Sequence, residues 1–293
     1  MPTFSLASKY SQKVDEAFQR EALLNQVTNR DYDWDGVESV YVYSIPVVEL
    51  NDYTRSGTNR YGSPDELGNS TQKLTIRRDR SWTFTIDKLN RNQSQMVADA
   101  GKAVARQLAL KVIPEVDTYT FQQMAENAGH SDSTTPTKNN AYSLLLAAQE
   151  ALGDANVPDQ GRVCLVSYAF AGLLKQDPAF MRDCDIAQNA LIKGLLGEVD
   201  GCRIIRVPSS RMPGQITTTG TGASAVTTRT PGSFLLCHPI ATVAPSVLSE
   251  YKVHTDAPGI SGWLCEGRIS YDAFVLNNKR DAIFYQGPAI SAG

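Results

Sequence analysis

The residues best suited to chemistry by type and spacing lie in Asp31-Tyr32-Asp33-Trp34-Asp35-Gly36, where alternate carboxylates and a glycine match the first six positions of an EF-hand calcium loop. That geometry needs a bidentate glutamate at the twelfth position, which is Val42, inside a strand-like run. The segment therefore reads as a turn with solvated carboxylates. Cys237 and His238 adjoin as in some thiol sites, but neighbours in a strand point to opposite faces, so Cys237 reads as a core residue. The three histidines, His130, His238 and His254, have no metal-binding spacing, and His254 is expected at a surface or interface. Gly220-Thr221-Gly222 lacks the Gly-Lys-Thr/Ser of a P-loop and the third glycine of a dinucleotide fold. Glu198 and Asp200 share a strand face, but Gly197 and Gly201 beside them indicate a solvated hairpin turn. No catalytic residue, cofactor or metal site is expected.

One charge grouping stands out. Arg77, Arg78 and Arg80, with Lys73, Lys88 and Arg91 nearby, fall on a strand. Charged side chains protect strand edges from aggregation, which is the simpler role for such a cluster. Arg78 and Arg80 also share the face of Trp82 and Phe84, where a guanidinium can stack and form bidentate ion pairs, so an interface is expected.

That strand belongs to the most informative stretch of the chain, Val37 to Ile86, which reads as one long β-hairpin arm. On its return strand Leu74, Ile76, Trp82, Phe84 and Ile86 are apolar, and Thr75, Arg77, Asp79, Ser81, Thr83 and Thr85 are polar. This is the two-residue period of a half-buried strand. The outgoing strand, Glu38 to Val48, is rich in Val, Ile and Tyr, and the tip from Asn51 to Ser70 is polar. A lone two-stranded ribbon is marginal in water, so its apolar face must lie on a neighbour in the same chain or another.

A chain of 293 residues with 42% hydrophobic residues can bury a real core and suggests about two domains. Its net charge of −3 lacks the basic footprint of a dedicated nucleic-acid binder, so sequence-specific DNA binding is not expected. Five cysteines, Cys164, Cys184, Cys202, Cys237 and Cys265, are spread singly without a CxxC pair and read as core residues of a reducing compartment. Met1 to Arg20 lacks the apolar core of a signal peptide, and no run approaches the length of a membrane-spanning helix, so no membrane association is expected.

Leu6, Tyr10, Val14 and Phe18 recur at steps of four and predict an N-terminal helix with one narrow apolar stripe. Asn90 to Ala128 predicts a long helix, with Ala100, Val104, Leu108, Val112 and Val116 on one face and a kink or break at Pro114. His130 to Asn140 reads as a linker and the main domain boundary. Short elements then alternate: helix 141–152, strand 162–166, helices 169–176 and 186–193, and strands 197–199 and 202–207. Gly214 to Ser233 reads as a mobile loop, 234–239 as a buried strand and 239–248 as a short helix. A long alternating strand follows, with Trp263, Cys265, Ile269, Tyr271, Ala273 and Val275 on one face, then a turn at Asn277-Asn278 and a last strand over 282–285.

This order of elements resembles the major capsid proteins of tailed bacteriophages, with the α+β fold of the Hong Kong 97 type. Local strings are also similar. They are Val40-Tyr41-Val42-Tyr43-Ser44-Ile45-Pro46 leading to Asn51-Asp52-Tyr53-Thr54-Arg55, Trp82-Thr83-Phe84-Thr85-Ile86-Asp87, Ile113-Pro114-Glu115-Val116-Asp117-Thr118-Tyr119, Gly197-Glu198-Val199-Asp200-Gly201, and Asp256-Ala257-Pro258-Gly259 with Glu266-Gly267-Arg268. The resemblance implies an N-terminal arm over 1–35 and an extended hairpin loop over 36–88. It further implies a peripheral domain with a spine helix from 89–139 and 250–293, and an axial domain over 140–249.

It also implies a virion protein, present in the host cytoplasm during assembly, that forms hexamers and pentamers of an icosahedral head. The head would enclose double-stranded DNA, touched non-specifically. The arm begins almost at once, so a scaffolding protein, if one is used, would be supplied separately, and portal and cement proteins would be further partners. Tyr10, Phe18, Tyr53, Arg55, Arg77, Arg78, Arg80, Trp82 and Phe84 are the expected assembly interface. An encapsulin-like compartment shell is the alternative within the fold, and an α/β enzyme the alternative outside it.

Overall fold

The computed structural model describes residues 23–29, 39–44, 50–62, 66, 68–88, 100–183, 197–219, 226–255 and 257–290. The expected N-terminal helix with Tyr10 and Phe18, the Asp31–Gly36 turn, the 186–193 helix and Cys184 lie outside them.

Strands β1 (Ser39–Ser44) and β2 (Ser70–Thr75) form an antiparallel ribbon in which Ser39 faces Thr75 and Ser44 faces Ser70. The return strand, expected to follow its partner throughout, changes sheets at Ile76 and Arg77. Strand β3 (Arg78–Asp87) pairs instead with a strand near the C-terminus, from Arg78 opposite Tyr271 to Asp87 opposite Gly262. The apolar side chains stay on even-numbered positions across the switch, so the pattern carries no mark of it.

The spine helix follows as α1 (Ala100–Gln107), a π-helical turn (Leu108–Val112) and α2 (Ile113–Glu126). Ala100, Val104, Leu108, Val112 and Val116 are all buried. In a regular helix each four-residue step overshoots by about 40°, which would carry this stripe around the helix. The π turn takes up one extra residue, about 100° of rotation, and holds the five side chains on one face. The same turn stands immediately before Pro114, where a kink or break is expected: the Ile113 amide donates to the Leu108 carbonyl, five residues back, and a new α-helical segment starts there.

Strand β4 (His130–Asp132) takes up the first three residues of the expected linker, and α3 (Ala141–Asp154), β5 (Val163–Ser167), α4 (Tyr168–Gln176) and α5 (Pro178–Asp183) follow. The Ser167 hydroxyl caps α4 by accepting from the Phe170 amide at 3.2 Å. Next come β6 (Glu198–Val199), β7 (Cys202–Val207), β8 (Gly214–Thr219), β9 (Val226–Pro231) and β10 (Phe234–Cys237). The expected 214–233 loop is thus largely an antiparallel ribbon, β8 on β9. Its threonines favour strand, but threonine on both faces leaves no apolar alternation to read.

The expected 239–248 helix is reduced to a 3₁₀ turn, Pro239–Ala241, before β11 (Thr242–Val243) and β12 (Ser246–His254). β-Branched Thr242 and Val243 and then Pro245 oppose helix there. The chain ends with β13 (Gly262–Tyr271), β14 (Phe274–Val275), a 3₁₀ segment and β15 (Ile283–Gln286).

Two sheets organise the body. One is six-stranded, in the order β4-β15-β10-β5-β7-β6; the other runs β12-β13-β3. The 250–293 segment contributes to both, β15 to the first and β13 with most of β12 to the second. Every residue of β5, β10 and β15 is buried. On one face of the six-stranded sheet Cys164, Val166, Phe234, Leu236 and Phe284 pack on Leu145, Leu152, Phe170 and Phe180 of the helices. On the other face Val163, Leu165, Leu235, Ile283 and Tyr285 meet Phe121 and Met124 of α2 and Val27 of the N-terminal segment. The smaller sheet packs Cys265, Ile269 and Tyr271 against the spine stripe.

Candidate assembly surface

The β1/β2 ribbon is anchored by one face. Val40, Val42, Leu74 and Ile76 pack on Val243, Leu276 and Phe274. Gln72 clamps the ribbon to the body: its side-chain amide donates to the Val275 carbonyl at 3.0 Å, and its oxygen accepts from the Asn277 amide at 2.9 Å. The opposite face points outward, with Tyr41 52% and Tyr43 68% exposed. The Lys73 ammonium stands 5.7 Å from the Tyr41 ring centroid.

Beyond the ribbon, residues 50–62 form a tip held by its own bonds. The Thr54 amide donates to the Arg60 carbonyl at 3.1 Å, Arg60 Nε donates to the Gly57 carbonyl at 3.2 Å, and Gly57 and Asn59 adopt positive φ. Tyr53 and Tyr61 meet edge to face, 5.0 Å between centroids, and remain largely exposed, as does Leu50. Arg55 is exposed on the same tip.

The root of the ribbon is fixed on Asp272, which is buried. Its carboxylate accepts from the Arg77 amide at 2.9 Å, the Tyr119 hydroxyl at 2.6 Å and the Ala273 amide at 2.8 Å. Burial and that hydrogen bond push the Tyr119 phenol well above its ordinary range. Beside it, Glu115 accepts from Arg80 Nε at 2.8 Å and from the Tyr271 hydroxyl at 3.2 Å, and lies 3.6 Å from Arg78. The Arg78 guanidinium stacks 4.1 Å over the Tyr119 ring.

Arg78 and Arg80 thus have ion-pair partners within the chain. Trp82 and Phe84 are also covered from within: they stack at 5.4 Å, Trp82 lies 6.2 Å from Tyr251, and a side chain at Gly267 would collide with the indole. The partners of these four lie on β12, β13 and the spine helix; Arg78, Trp82 and Phe84 are half-buried there and Arg80 is exposed. Of the other expected residues, Tyr53 and Arg55 are exposed on the tip, and Arg77 has an exposed side chain at the root. Tyr41, Tyr43 and Tyr61 are not among the residues expected at the interface from the sequence, and Lys73 enters there only as a neighbour of the arginine cluster. The outgoing strand carried the signal, since Tyr41 and Tyr43 alternate with Val40 and Val42.

The N-terminal segment is moored on a buried acid. Asp117 of α2 accepts from the Leu23 and Leu24 amides at 3.4 and 3.3 Å and pairs with Arg211 at 3.1 Å. Burial outweighs these contacts and pushes its carboxyl up to about 6.

The residues weighed for chemistry have structural places. Cys164, Cys202, Cys237 and Cys265 are buried free thiols, with burial pushing Cys202 up to about 12 and Cys265 to about 11. His238 caps the 3₁₀ turn through Nδ1, which accepts from the Ile240 amide at 3.2 Å. His254 lies 3.3 Å from Glu266 on an exposed sheet face. Asp200 and Gly201 have positive φ in the tight turn between β6 and β7. Among the described residues no cluster of His, Cys, Asp and Glu could hold a metal, and no helix is long and apolar enough to cross a membrane.

No family model and no curated protein matches the sequence. Solved structures match in fold. A structure from Mycobacterium phage Che8 superposes with a TM-score of 0.68 at 20% identity, over 90% of each chain. The capsid of cyanophage P-SCSP1u gives 0.66 at 15% identity, over 91% of this chain and 87% of that one. A virus-like particle from Pyrococcus furiosus gives 0.57 at 8% identity, over 97% and 100%. The chain has the mixed α+β fold of phage capsid proteins.

Proposed function

We propose that the chain is the major capsid protein of a tailed bacteriophage, with the Hong Kong 97 type of subunit. It self-assembles into hexamers and pentamers of an icosahedral head that encloses double-stranded DNA. The fold likeness to phage capsids over about nine-tenths of the chain carries this reading. The ribbon supports it, because a two-stranded element that buries one face and turns tyrosines outward is stabilised further by a neighbour. The proposed interface comprises Tyr41, Tyr43, Lys73, Tyr53, Arg55 and Tyr61, with Arg77 at the root and Tyr10 and Phe18 on the N-terminal arm. Scaffolding, portal and cement proteins are its proposed partners, the virion its location and the host cytoplasm its place of assembly.

Negative-stain microscopy and sedimentation of the expressed chain test the proposal. Closed shells built from ring-shaped capsomers are expected. A 32.0 kDa monomer that persists at all concentrations, alone and with a scaffold, would contradict it. The likeness to the Pyrococcus particle keeps a compartment shell as the second reading, and copurifying cargo protein in place of DNA would favour it.

A further inference from the structure

The outward face of the spine helix is basic. The positions half a turn from the buried stripe are Lys102, Arg106 and Leu110, all exposed, with exposed Lys111 beside them. From 100 to 114 the chain carries these three cations and no carboxylate, although Asp and Glu outnumber Lys and Arg by 31 to 28 overall. Among the described residues none of the three makes an ion pair. Arg80 adds a fourth cation from the neighbouring sheet, lining with Gln107, Lys111 and Glu115 a cleft of about 270 Å³. Glu115, the carboxylate there, is engaged by Arg78, Arg80 and Tyr271.

We propose that this face, Lys102, Arg106 and Lys111 with Arg80 at its margin, is where the subunit touches the phosphate backbone of double-stranded DNA. The proposal rests on the shell reading above and gives its DNA contact a location. At about 1.5 Å per residue the three helix cations span about 14 Å. A duplex carries one phosphate charge per about 1.7 Å of axis, so the helix offers partial neutralisation along a dense row of charge. Phosphate contacts of this kind carry no sequence information, and with so few cations they are weak and salt-labile. A wall against which packaged DNA must slide needs that combination. The apolar Leu110 interrupts the stripe and limits its grip further.

The test compares the full-length chain with the triple variant Lys102→Ala, Arg106→Ala, Lys111→Ala, in which alanine preserves the exposed helix. Anisotropy of a fluorescent 20-base-pair duplex is followed over a salt series, with thermal melts as a check on folding and negative stain as a check on particles. The slope of log K against log salt is expected to flatten by about 2.7 in the variant, about 0.9 for each cation removed. An unchanged slope in a variant that still forms particles would overturn the DNA face and leave the shell reading standing. A flattened slope in a chain that forms no particles would uphold the face and remove the shell. Tighter binding of the wild-type chain to polyglutamate than to the duplex at equal salt would make the face a site for an acidic protein segment and overturn the proposal.

Discussion

The six-stranded sheet and the β1/β2 ribbon are built from similar β-branched and aromatic residues, yet they satisfy them differently. In β10 all four residues are buried, because helices cover one face and the spine helix with the N-terminal segment covers the other. In the ribbon only alternate residues are covered, and Tyr41 and Tyr43 project from the other side. The first region completes itself within one chain. The second leaves a large amphipathic surface that a neighbouring copy can cover, so stability and assembly should be separable by mutation.

The largest effect should come from the self-contained region. Leu236→Ala removes a fully buried side chain from a close-packed layer and should cost about 2–5 kcal/mol, read as a lowered urea midpoint. A loss below 1 kcal/mol would mean that the sheet's two faces are less tightly packed than they appear.

At the junction of the regions, Asp272→Ala leaves two backbone amides and the Tyr119 hydroxyl without their acceptor. Unsatisfied buried groups cost about 1–3 kcal/mol each, and because the root is partly open to water a total of about 2–4 kcal/mol is expected. Hydrogen exchange should show the Arg77 amide losing protection before β10 does. Equal loss in both would make ribbon and body one cooperative unit.

On the ribbon itself, Tyr41→Ser with Tyr43→Ser should change the stability of the free subunit by only about 0.5 kcal/mol per site, as exposed positions do. The concentration needed for assembly should nevertheless rise about tenfold or more, the equivalent of about 1.4 kcal/mol. Assembly at the wild-type threshold would place the intersubunit contact elsewhere.

A pH-dependent effect concerns Asp117, whose folded carboxyl is raised to about 6 while the unfolded value is about 3.9. Between those values the folded state holds the extra proton, so this group's contribution to stability grows as pH falls through 6 toward 4 and is lost as pH rises. Asp117→Asn should flatten that part of the stability profile measured by denaturation between pH 4 and 7. An unchanged slope would show that Arg211 and the Leu23 and Leu24 amides offset the burial of the charge.

Much of the body is legible in the sequence because its elements bury regular patterns. The spine stripe from Ala100 to Val116, the helix from Ala141 and the alternation of β13 all follow from periodicity. What is not legible depends on partners distant in sequence. Nothing local tells Trp82 that Tyr251 and Gly267 pack on it, or Arg80 that its carboxylate is Glu115, so these intrachain partners cannot be read from the strand itself. The change of sheet at Arg77 is hidden for a similar reason. It is set by Asp272, 195 residues away, while the apolar phase runs on unbroken. The true outward face was present in the alternation of Tyr41 and Tyr43 with valine, but tyrosine fits a buried face as readily as an exposed one.

Hydrogen exchange of the ribbon in free subunits and in assembled particles tests the central claim most directly. The amides of Ser39–Ser44 and Ser70–Thr75 are expected to exchange faster than those of β10 in the free subunit and to gain protection on assembly, while β10 stays unchanged. Particles in which the ribbon exchanges as it does in free subunits would contradict the claim that this surface joins one copy to the next.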